Sequence, residues 1–480
     1  MWRSGLNSRS TTTAQALKEK KWDALVIGGG HNGLTAAAYL ARGGLSVAVL
    51  ERRHVIGGAA VTEEIIPGFK FSRCSYLQSL LRPSVIRELE LKRHGLKLLK
   101  PTATTFTPCL DGRYLLLGHD DERNYLEISK FSKYDADAFQ APETLHWDSS
   151  FTYWMRDKLE KSVFWARCLR HIMVLGQKDM VNFMDLLLSP TSKVLNKWFE
   201  SDILKAVLAG DAIVGSMASI HTPGSGYVLL HHVMGETDGD RNVWSHVEGG
   251  MGSVSTAISN AAIEAGASIM TNAEVSQLMI GNSGTIEGVL LADGTRVCSS
   301  IVLSNATPHR TFLGLIPRDA LPEDFLRAIE KSDYNSGTTK INVAVDKVPW
   351  FHCCGSNNTE AGPQHTATIH ICSESMDNIG SACQDARNGL PSKRPVMEMT
   401  IPSSLDKTIS PPGGNIFHGA TGLDSLFFMR PAKGWSGYRT PVRGLYLCGS
   451  GTHPGGGVMA APGRNAARIT LRDFKKHHSW

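Results

Sequence analysis

The stretch that decides the fold is Ala24-Leu25-Val26-Ile27-Gly28-Gly29-Gly30-His31-Asn32-Gly33, near the start of the 480-residue chain. Its four apolar residues fit a strand that is buried on both faces. The glycines that follow have the spacing G-x-G-x-x-G, in which Gly28 makes a tight turn, Gly30 lets the backbone approach a pyrophosphate, and Gly33 lets a helix pack closely on the strand. This arrangement predicts a dinucleotide-binding site.

The residues after these glycines complete a strand–helix–strand unit. Residues 34–40 are alanine-rich and predict a helix, and residues 45–50 predict a second buried strand. Glu51 closes this strand about 20 residues after the glycines, where an acid binds ribose hydroxyls of a dinucleotide. The start of the helix offers unpaired N–H groups and partial positive charge to the phosphates. An isolated glycine turn is the alternative, but it requires neither the helix nor the acid.

A second glycine pair, Gly57-Gly58, follows Glu51 within a few residues. A plain NAD-binding fold gives no obvious reason for glycine at this place. A larger cofactor would need backbone that passes alongside a second phosphate or a flavin. An ordinary turn is the alternative interpretation.

Two further stretches repeat the order of strand, glycine turn and helix. Gly249-Gly250-Met251-Gly252 precedes a predicted amphipathic helix. The strands predicted after that helix lie at 268–270, 275–280, 286–291 and 296–303. Near the C-terminus, the apolar residues 444–448 lead into Gly449, and an alanine-rich helix is predicted from Met459 to about Arg472. The three units predict one α/β domain that other segments interrupt.

The segments between these units have a different pattern. Residues from about 104 to 245 carry aromatic residues at helical spacing, and residues 312–397 include an alternating stretch, Lys340 to Val345, that predicts a strand. We interpret both as an inserted substrate or cap domain of mixed α+β structure.

Composition excludes several classes of protein. The net charge is only +5, which argues against a nucleic-acid-binding protein, and the 42% of hydrophobic residues argues against a largely disordered chain. No apolar run approaches the ~18 residues of a membrane-spanning helix. We expect no transmembrane segment, which leaves peripheral contact with a membrane open.

Residues 1–22 have the composition of a targeting leader. They contain five basic residues and one acidic residue, several hydroxyl residues and no apolar core. This composition is typical of mitochondrial transit peptides rather than secretory signals. A frayed basic terminus is the alternative.

Cysteine and histidine patterns predict neither a dithiol centre nor a metal site. The nine cysteines include no C-x-x-C pair, and the adjacent Cys353 and Cys354 do not easily supply the geometry of a reactive pair. A disulfide reductase is therefore disfavoured, and scattered thiols fit a reducing compartment. The histidines lack the spacing of metal ligands with a carboxylate partner, so no metal is predicted.

Four segments together carry a resemblance to a known family. They are Glu51–Gly58, Glu248–Gly252, Leu303–Pro308 and the terminal Gly444–Gly457. These segments resemble the phytoene desaturase-like, or carotenoid oxidoreductase, flavoproteins, which are related to the FAD amine oxidases. The resemblance covers most of the chain from Trp22 onward. It implies a glutathione-reductase-type, discontinuous FAD-binding Rossmann domain and oxidation of C–H bonds of an apolar small molecule by hydride transfer to the flavin.

The resemblance implies a division into domains and a set of cofactor residues. The FAD-binding domain would comprise 23–103, 246–311 and 398–480, and the substrate domain 104–245 and 312–397. The first glycines would hold the pyrophosphate, Val275 would present backbone to the adenine, and Gly449 with the helix at Met459 would face the flavin. The cofactor-binding residues expected in this way are Gly28, Gly30, Gly33, Glu51, Arg52, Gly57, Gly58, Val275, Gly449 and Met459.

Two residues are candidates for a catalytic role. Lys340 resembles a lysine that the amine oxidases keep beside the flavin N5, and an exposed strand lysine is the alternative. His453 lies in the glycine turn near the expected flavin and is a candidate proton carrier. A histidine that only caps this turn is the alternative.

The chain departs from the family pattern in two places. The segment 407–413 is much shorter than in the family, which carries another strand and helices there, and the stretch 112–157 is also abridged. We expect an FAD-dependent oxidoreductase, desaturase-like, in the mitochondrial matrix or at the inner membrane. A flavin-binding regulatory or interaction protein with little catalysis is the alternative.

Overall fold

The protein is described here by a computed structural model that covers residues 17, 20–140, 180–215, 217–336, 338–355, 360–406, 408 and 430–477. The strands are β1 (Ala24–Ile27), β2 (Val47–Leu50), β3 (Thr62–Ile66), β4 (Phe69–Ser72), β5 (Leu98–Leu99), β6 (Ala103–Pro108), β7 (Tyr114–Gly118), β8 (Glu236–Thr237), β9 (Asp240–Arg241), β10 (His246–Val247), β11 (Ser268–Met270), β12 (Val275–Ile280), β13 (Ile286–Leu291), β14 (Arg296–Cys298), β15 (Val302–Ser304), β16 (Thr368–Ile371), β17 (Met397–Met399) and β18 (Leu445–Leu447).

The helices surround the sheets that these strands form. They are α1 (His31–Arg42), α2 (Pro83–Glu88), α3 (Asp121–Ser129), α4 (Lys133–Phe139), α5 (Thr191–Trp198), α6 (Asp202–Asp211), α7 (Ser225–Val233), α8 (Gly252–Glu264), α9 (Pro308–Gly314), α10 (Glu323–Glu330), α11 (Pro363–Thr366), α12 (Met376–Arg387) and α13 (Ala461–His477). Short 3-10 helices lie at Arg318–Ala320, His352–Cys354 and Pro402–Ser404.

A parallel sheet forms the centre of the α/β part, with strand order β11-β2-β1-β15-β18. Its middle strand β1 is buried over all four residues, because strands pair with it on both sides and the sheet is covered on both faces. Carboxyl ends of parallel strands lie at one edge of a sheet. The turns that follow β1, β2, β15 and β18 therefore meet at the same edge.

Helices α1, α8 and α13 cover one face of this sheet with a large apolar core. Helix α13 approaches α1 very closely: a Cβ on Gly463 would lie 2.0 Å from the carbonyl oxygen of Asn32. A second core on the other face joins the antiparallel sheet β12-β13-β14 to helices α9 and α10. Its members include Leu17 and Trp22, so the end of the predicted leader packs into the fold; residues 1–16, 18 and 19 lie outside the described residues.

A second mixed sheet, with order β17-β16-β6-β7, forms the centre of the other part. Its strands come mainly from the segments expected to form the substrate domain, but β6 begins at Ala103, before the expected boundary at 104, and β17 crosses the expected boundary at 398. Helices α3, α4 and α6 pack on the hairpin β6–β7, so the helical pattern predicted from about residue 104 begins instead with two strands. Residues 141–157 and 409–413, within the abridged segments, lie outside the described residues.

Two strand predictions were wrong. Residues 296–303, predicted as one strand, form β14 and β15 in different sheets, because the chain turns at Ser299 between an antiparallel partner and a parallel one. The segment Lys340–Val345 forms no strand, and its side chains Ile341, Val343 and Val345 are 69%, 51% and 54% exposed. The alternation predicted a strand, but no described strand pairs with this segment. The helix predicted from Met459 begins at Ala461 and reaches His477.

Candidate functional site

The first glycine turn is packed so tightly that it excludes side chains. A Cβ on Gly33 would lie 2.2 Å from the carbonyl oxygen of Gly28, and a Cβ on Gly30 would lie 2.8 Å from the amide nitrogen of Asn305. Gly28 itself has φ +93°, a backbone conformation that favours glycine. Each glycine is thus required for a separate reason, as the fingerprint predicts.

The second glycine pair lies directly against this turn. The N–H of Gly57 donates to the carbonyl oxygen of Gly29 at 2.8 Å, and Gly30 and Gly57 form a parallel bridge. A Cβ on Gly58 would lie 3.1 Å from the Cα of Gly30. Both residues of the pair have positive φ. We call residues 28–33 together with Gly57 and Gly58 the glycine cradle.

Glu51 is buried beside the cradle at the end of β2. One carboxylate oxygen accepts from the N–H of Gly29 at 2.7 Å and the other from the N–H of Arg53 at 2.9 Å. The Glu51 carbonyl accepts from Ala273, so the chain that leads into Val275 runs past the acid. Arg52 is exposed. The Glu51 backbone thus contacts the chain two residues before Val275, at the end of β2.

The C-terminal glycine turn reaches the same place. The amide of Asn32, at the start of α1, donates to Ser450 at 3.2 Å, and a Cβ on Gly449 would lie 2.9 Å from the carbonyl oxygen of Asn305. The first and last parts of the chain therefore meet, because β15 lies between β1 and β18 in the sheet.

Asn305 belongs to this site, although no role was predicted for it from the sequence. It follows β15 directly, its backbone N–H donates to Ile27 at 2.8 Å, and its side-chain amide donates to Gly28 at 3.3 Å. It contacts both glycine turns and thereby fixes their separation. The sequence feature that could have identified Asn305 is a polar residue immediately after a predicted buried strand.

His453 and Met459 lie in the turn that follows Gly449. The carbonyl of His453 accepts from the Tyr438 hydroxyl at 2.5 Å, and desolvation, with the charge of Arg430, lowers the pKa of its imidazole to about 4. Met459 is buried, and its carbonyl accepts from the N–H of Arg82 at 3.3 Å. The imidazole is thus held neutral at physiological pH.

Lys340 is half-buried, although the strand predicted around it is absent. Its ammonium donates to the carbonyls of Ser72 and, at 3.2 Å, of Cys74, and it lies 5.8 Å from the ring centre of Tyr76. Desolvation lowers its pKa to about 7. The ammonium is held by backbone, so the alternative of a freely exposed strand lysine does not describe its surroundings.

Close to Lys340, two carboxylic acids, a tyrosine and a histidine come from separate elements. The Tyr76 hydroxyl donates to Glu398 of β17. Desolvation raises the pKa of Glu398 to about 7, Asp211 adds to the increase, and His232 opposes it. Desolvation also raises the pKa of Asp211 to about 7. We call Tyr76, Asp211, His232, Lys340 and Glu398 the polar recess.

The recess is open to solvent although protein surrounds it. Glu398 is exposed, and Tyr76, Asp211 and Lys340 are partly exposed, yet desolvation is the first cause of all four pKa shifts. These side chains are therefore partly desolvated although water reaches them. Ser75, next to Tyr76, donates to the carbonyl of Ala59 at 2.8 Å, so this part of the chain lies beside the cradle.

The thiols give no support to a dithiol centre. All described cysteines are free, and Cys353 and Cys354 pack beside Phe106 in the core of the second sheet. Cys448 is fully buried in the core under the parallel sheet, as expected of a small apolar residue. Among the described residues, no group of histidine, cysteine and acidic side chains has the arrangement of a metal site. No described helix is long and apolar enough to cross a membrane.

Comparison with known proteins identifies the family. Residues 26–84 match the family described as NAD(P)-binding Rossmann-like domain. Pyridine nucleotide-disulfide oxidoreductase domain-containing protein 2 of Rattus norvegicus is 43% identical over 558 residues, covering 97% of this chain and 96% of that protein. The chain belongs to this protein's family. Because the alignment is longer than the 480 residues of the chain, the rat protein has residues that the chain lacks.

More distant relatives agree with this assignment. Hydroxyneurosporene desaturase of Cereibacter sphaeroides is 27% identical over 503 residues, covering 94% of this chain and 97% of the desaturase. A solved oxidoreductase from Methanosarcina mazei is 14% identical, with a TM-score of 0.54, and the match covers 94% of this chain and 99% of that protein. At this identity, the match shows a similar fold. The predicted fold class and the predicted family, that of the phytoene desaturase-like FAD-dependent oxidoreductases, are confirmed.

Proposed function

We propose that this chain binds FAD and oxidises C–H bonds of an apolar small molecule, in the manner of a desaturase, by hydride transfer to the flavin. The observation that carries the proposal is the meeting of the glycine cradle with the turn around Gly449 at one sheet edge, joined by Asn305. A cofactor with two phosphates and a second ring system needs backbone access at two such places. The cradle offers bare backbone to such a cofactor, because a Cβ at Gly30 or Gly33 would collide with Asn305 or with the Gly28 carbonyl.

The residues of the site have distinct tasks in this proposal. The cradle and the first N–H groups of α1 would hold the pyrophosphate, and Glu51 would exchange its bonds to Gly29 and Arg53 for ribose hydroxyls. When bound, FAD supplies the acceptor for the hydride. The N–H groups at the start of α13 would stabilise negative charge on the reduced ring. Neutral His453 lies in the turn before this helix.

The kind of reaction is supported by one relative and by the cysteines. Hydroxyneurosporene desaturase is named for a desaturation, and its likeness extends over nearly the whole chain. Disulfide reduction needs two neighbouring thiols beside the flavin, one that attacks the substrate and one that resolves the mixed disulfide. The adjacent Cys353 and Cys354 instead pack in the second sheet.

Location in the mitochondrion is part of the proposal and is supported by the basic, hydroxyl-rich start of the chain. Leu17 and Trp22 are both buried, and the Trp22 indole donates to the Leu17 carbonyl at 3.2 Å. A leader that is removed without disturbing the core would therefore end before Leu17. Peripheral contact with a membrane would suit an apolar substrate, and it stays a proposal.

A flavin-binding regulatory protein with little catalysis is the second candidate. The observation that favours it is the exposed apolar row Ile341, Val343 and Val345, in a chain that lacks residues present in the rat protein. Apolar surface of this kind in the substrate half would leave a substrate cavity open to water.

Anaerobic reduction of the purified, FAD-loaded protein tests the proposal. Carotenoid and terpenoid hydrocarbons would be added singly, and the visible flavin absorption recorded. We expect at least one to bleach the flavin with formation of a stoichiometric amount of desaturated product. If dithionite bleaches the flavin and none of the hydrocarbons does, the second candidate is favoured. Rapid bleaching by NADPH coupled to thiol production would instead indicate a disulfide reductase.

A further inference from the structure

We propose that the protein has a second small-molecule site, on the face of the second sheet that lies away from the polar recess, and that this site binds a neutral phenol. The inference goes beyond the proposed function, because the phenol would be a different molecule from the one that is oxidised. It rests on a cavity of about 280 Å³, which we call the aromatic cavity. The lining side chains that the argument uses are Phe106, Tyr114, Leu116, Trp350, Phe351 and Glu360.

The aromatic cavity and the recess lie on opposite faces of the second sheet. Successive side chains of a strand point to opposite faces. On β7, Leu115 and Leu117 pack in the core that α6 shares, whereas Tyr114 and Leu116 pack beside Phe106 in the core on the other face. The recess takes one of its acids from the end of α6. A ligand in the cavity would therefore lie across the sheet from the recess.

The loop that forms one wall of the cavity is held in two places by His365. The Nε2 of this imidazole donates to the carbonyl of Pro349, and its Nδ1 accepts from the N–H of Gly362, each at 2.8 Å. His365 is buried, so these bonds are shielded from water. Residues 356–359 of the loop lie outside the described residues. Trp350 and Phe351 directly follow Pro349, so the bond to Pro349 fixes where their rings enter the cavity.

The rings of the cavity favour an aromatic ligand. Phe106 packs edge-to-face on Phe351 with their ring centres 5.0 Å apart, and its ring centre lies 5.7 Å from that of Tyr114. Trp350 lines the same cavity and is nevertheless 43% exposed. Aromatic pairs contribute more than the apolar area that they bury. A ring bound here would extend the cluster and cover the exposed part of Trp350.

The charges around the cavity favour a neutral ligand that donates a hydrogen bond. Among the described residues that line it, Glu360 is the only acid, and none is a lysine or an arginine. An ionised carboxylate only accepts, so the ligand group that meets it has to donate. An anionic ligand would be repelled by Glu360. A cationic ligand would be repelled by the Lys130 ammonium, which lies 4.7 Å from the ring centre of Tyr114.

The size of the cavity restricts the ligand to about one ring. Small-molecule sites usually have volumes of ~300–1,000 Å³, and this cavity, with about 280 Å³, lies just below that range. A phenol combines a single ring with one O–H donor. Its hydroxyl stays protonated near pH 7, since phenolic groups have a pKa of ~10. Phenols are therefore the class of ligand that matches the volume, the rings and the carboxylate together.

Isothermal titration calorimetry on the full chain at about pH 7 tests the inference with three probes of one size. They are 4-methylphenol, toluene, which lacks the hydroxyl, and 4-methylcyclohexanol, which lacks the aromatic ring. We expect 4-methylphenol to bind ~10-fold or more tightly than either of the other two. Toluene loses the hydrogen bond to Glu360, and 4-methylcyclohexanol loses the contacts between rings.

Three variants locate the binding. Trp350→Ala should lower the affinity for 4-methylphenol ~10-fold. Glu360→Gln should lower it by a similar factor and leave the affinity for toluene unchanged, because only the phenol donates to the carboxylate. Trp198→Ala on α5 is the matched control, since Trp198 has the same 43% exposure as Trp350, and it should change neither affinity.

Equal affinity for 4-methylphenol and 4-methylcyclohexanol would overturn the inference. Unchanged binding of 4-methylphenol in Trp350→Ala or in Glu360→Gln would also overturn it, because a phenol bound elsewhere in the chain is insensitive to both changes. Circular dichroism confirms that each variant is folded, and Glu360 is exposed, so its replacement spares the core. Calorimetry does not depend on flavin. A protein that binds no FAD would contradict the proposed function, and the phenol titration would still decide this inference.

Discussion

The glycine cradle and the polar recess are built in opposite ways. The cradle is almost entirely backbone: its turns lie within hydrogen-bonding distance of each other, and an added Cβ at Gly33 would lie 2.2 Å from a carbonyl oxygen. The recess consists of side chains that water partly reaches, with acids whose pKa is raised. In the cradle, one added methyl group meets fixed backbone. In the recess, the ionisation of the side chains depends on how well their surroundings are hydrated.

This difference predicts that a single methyl group abolishes cofactor binding in the cradle. In Gly33→Ala the new Cβ meets the Gly28 carbonyl, which the turn holds in place, so the backbone has to shift by an amount that costs ~1–3 kcal/mol or more. We expect the purified variant to lose its FAD, measured as flavin absorption per protein.

The matched control is Gly210→Ala in α6, where the nearest atom to the new Cβ is 4.0 Å away. It should retain the wild-type flavin content and thermal stability. Equal flavin content in Gly33→Ala and Gly210→Ala would show that the cradle is not the pyrophosphate site.

A smaller loss is expected when the buried acid is neutralised. In Glu51→Gln the side chain keeps its size but no longer accepts as an anion from ribose hydroxyls, so FAD affinity should fall ~10- to 100-fold. Fluorescence titration of the flavin-free protein measures it. Glu64→Gln is the control, because Glu64 is exposed and, within the described part of the chain, accepts only from the N–H of Gly68 at 2.8 Å. Matching affinities in the two variants would remove Glu51 from the cofactor site.

The contribution of Glu398 to the stability of the protein should depend on pH in the opposite sense to that of a carboxyl whose pKa is lowered on folding. The folded pKa of Glu398 is raised to about 7, so its contribution to stability is full below about pH 4.5 and is lost as the pH rises through 7. The free energy of unfolding of Glu398→Gln, relative to that of the wild type, should therefore rise by ~1 kcal/mol between about pH 4.5 and 8. This figure is reduced because solvent screens an exposed carboxyl. Urea unfolding at both pH values measures it. A constant difference at the two values would contradict the raised pKa.

The smallest effect is expected at Lys340. Its folded pKa is lowered to about 7, so between about pH 7 and 10 the unfolded chain binds the extra proton and wild-type stability rises with pH. Lys340→Met should lack this rise, which we expect to be ~0.5 kcal/mol after allowance for partial exposure. Lys331→Met, at an exposed position after α10, should retain it. A wild-type curve that stays flat in this range would show that the ammonium is well solvated.

The cradle could be predicted from sequence, whereas the recess could not, and the reason is physical. Gly28, Gly30, Gly33 and Glu51 act within about 25 residues of one another, and the spacing of strand, turn and helix determines where they lie. Tyr76, Asp211 and Glu398 meet only through the packing of distant elements. Glu398 on a short edge strand and Asp211 at a helix end show no local pattern. Lys340 was found by resemblance, but its local prediction was wrong because no described strand pairs with it.

The account depends most on the claim that both glycine turns bind one FAD, and the visible spectrum of the purified chain tests this claim most directly. The chromophore would then be released by denaturation and identified by chromatography. We predict a yellow protein that releases close to one FAD per chain, and whose content falls in Gly33→Ala but not in Gly210→Ala. A folded, colourless protein that takes up no FAD on titration would contradict the account.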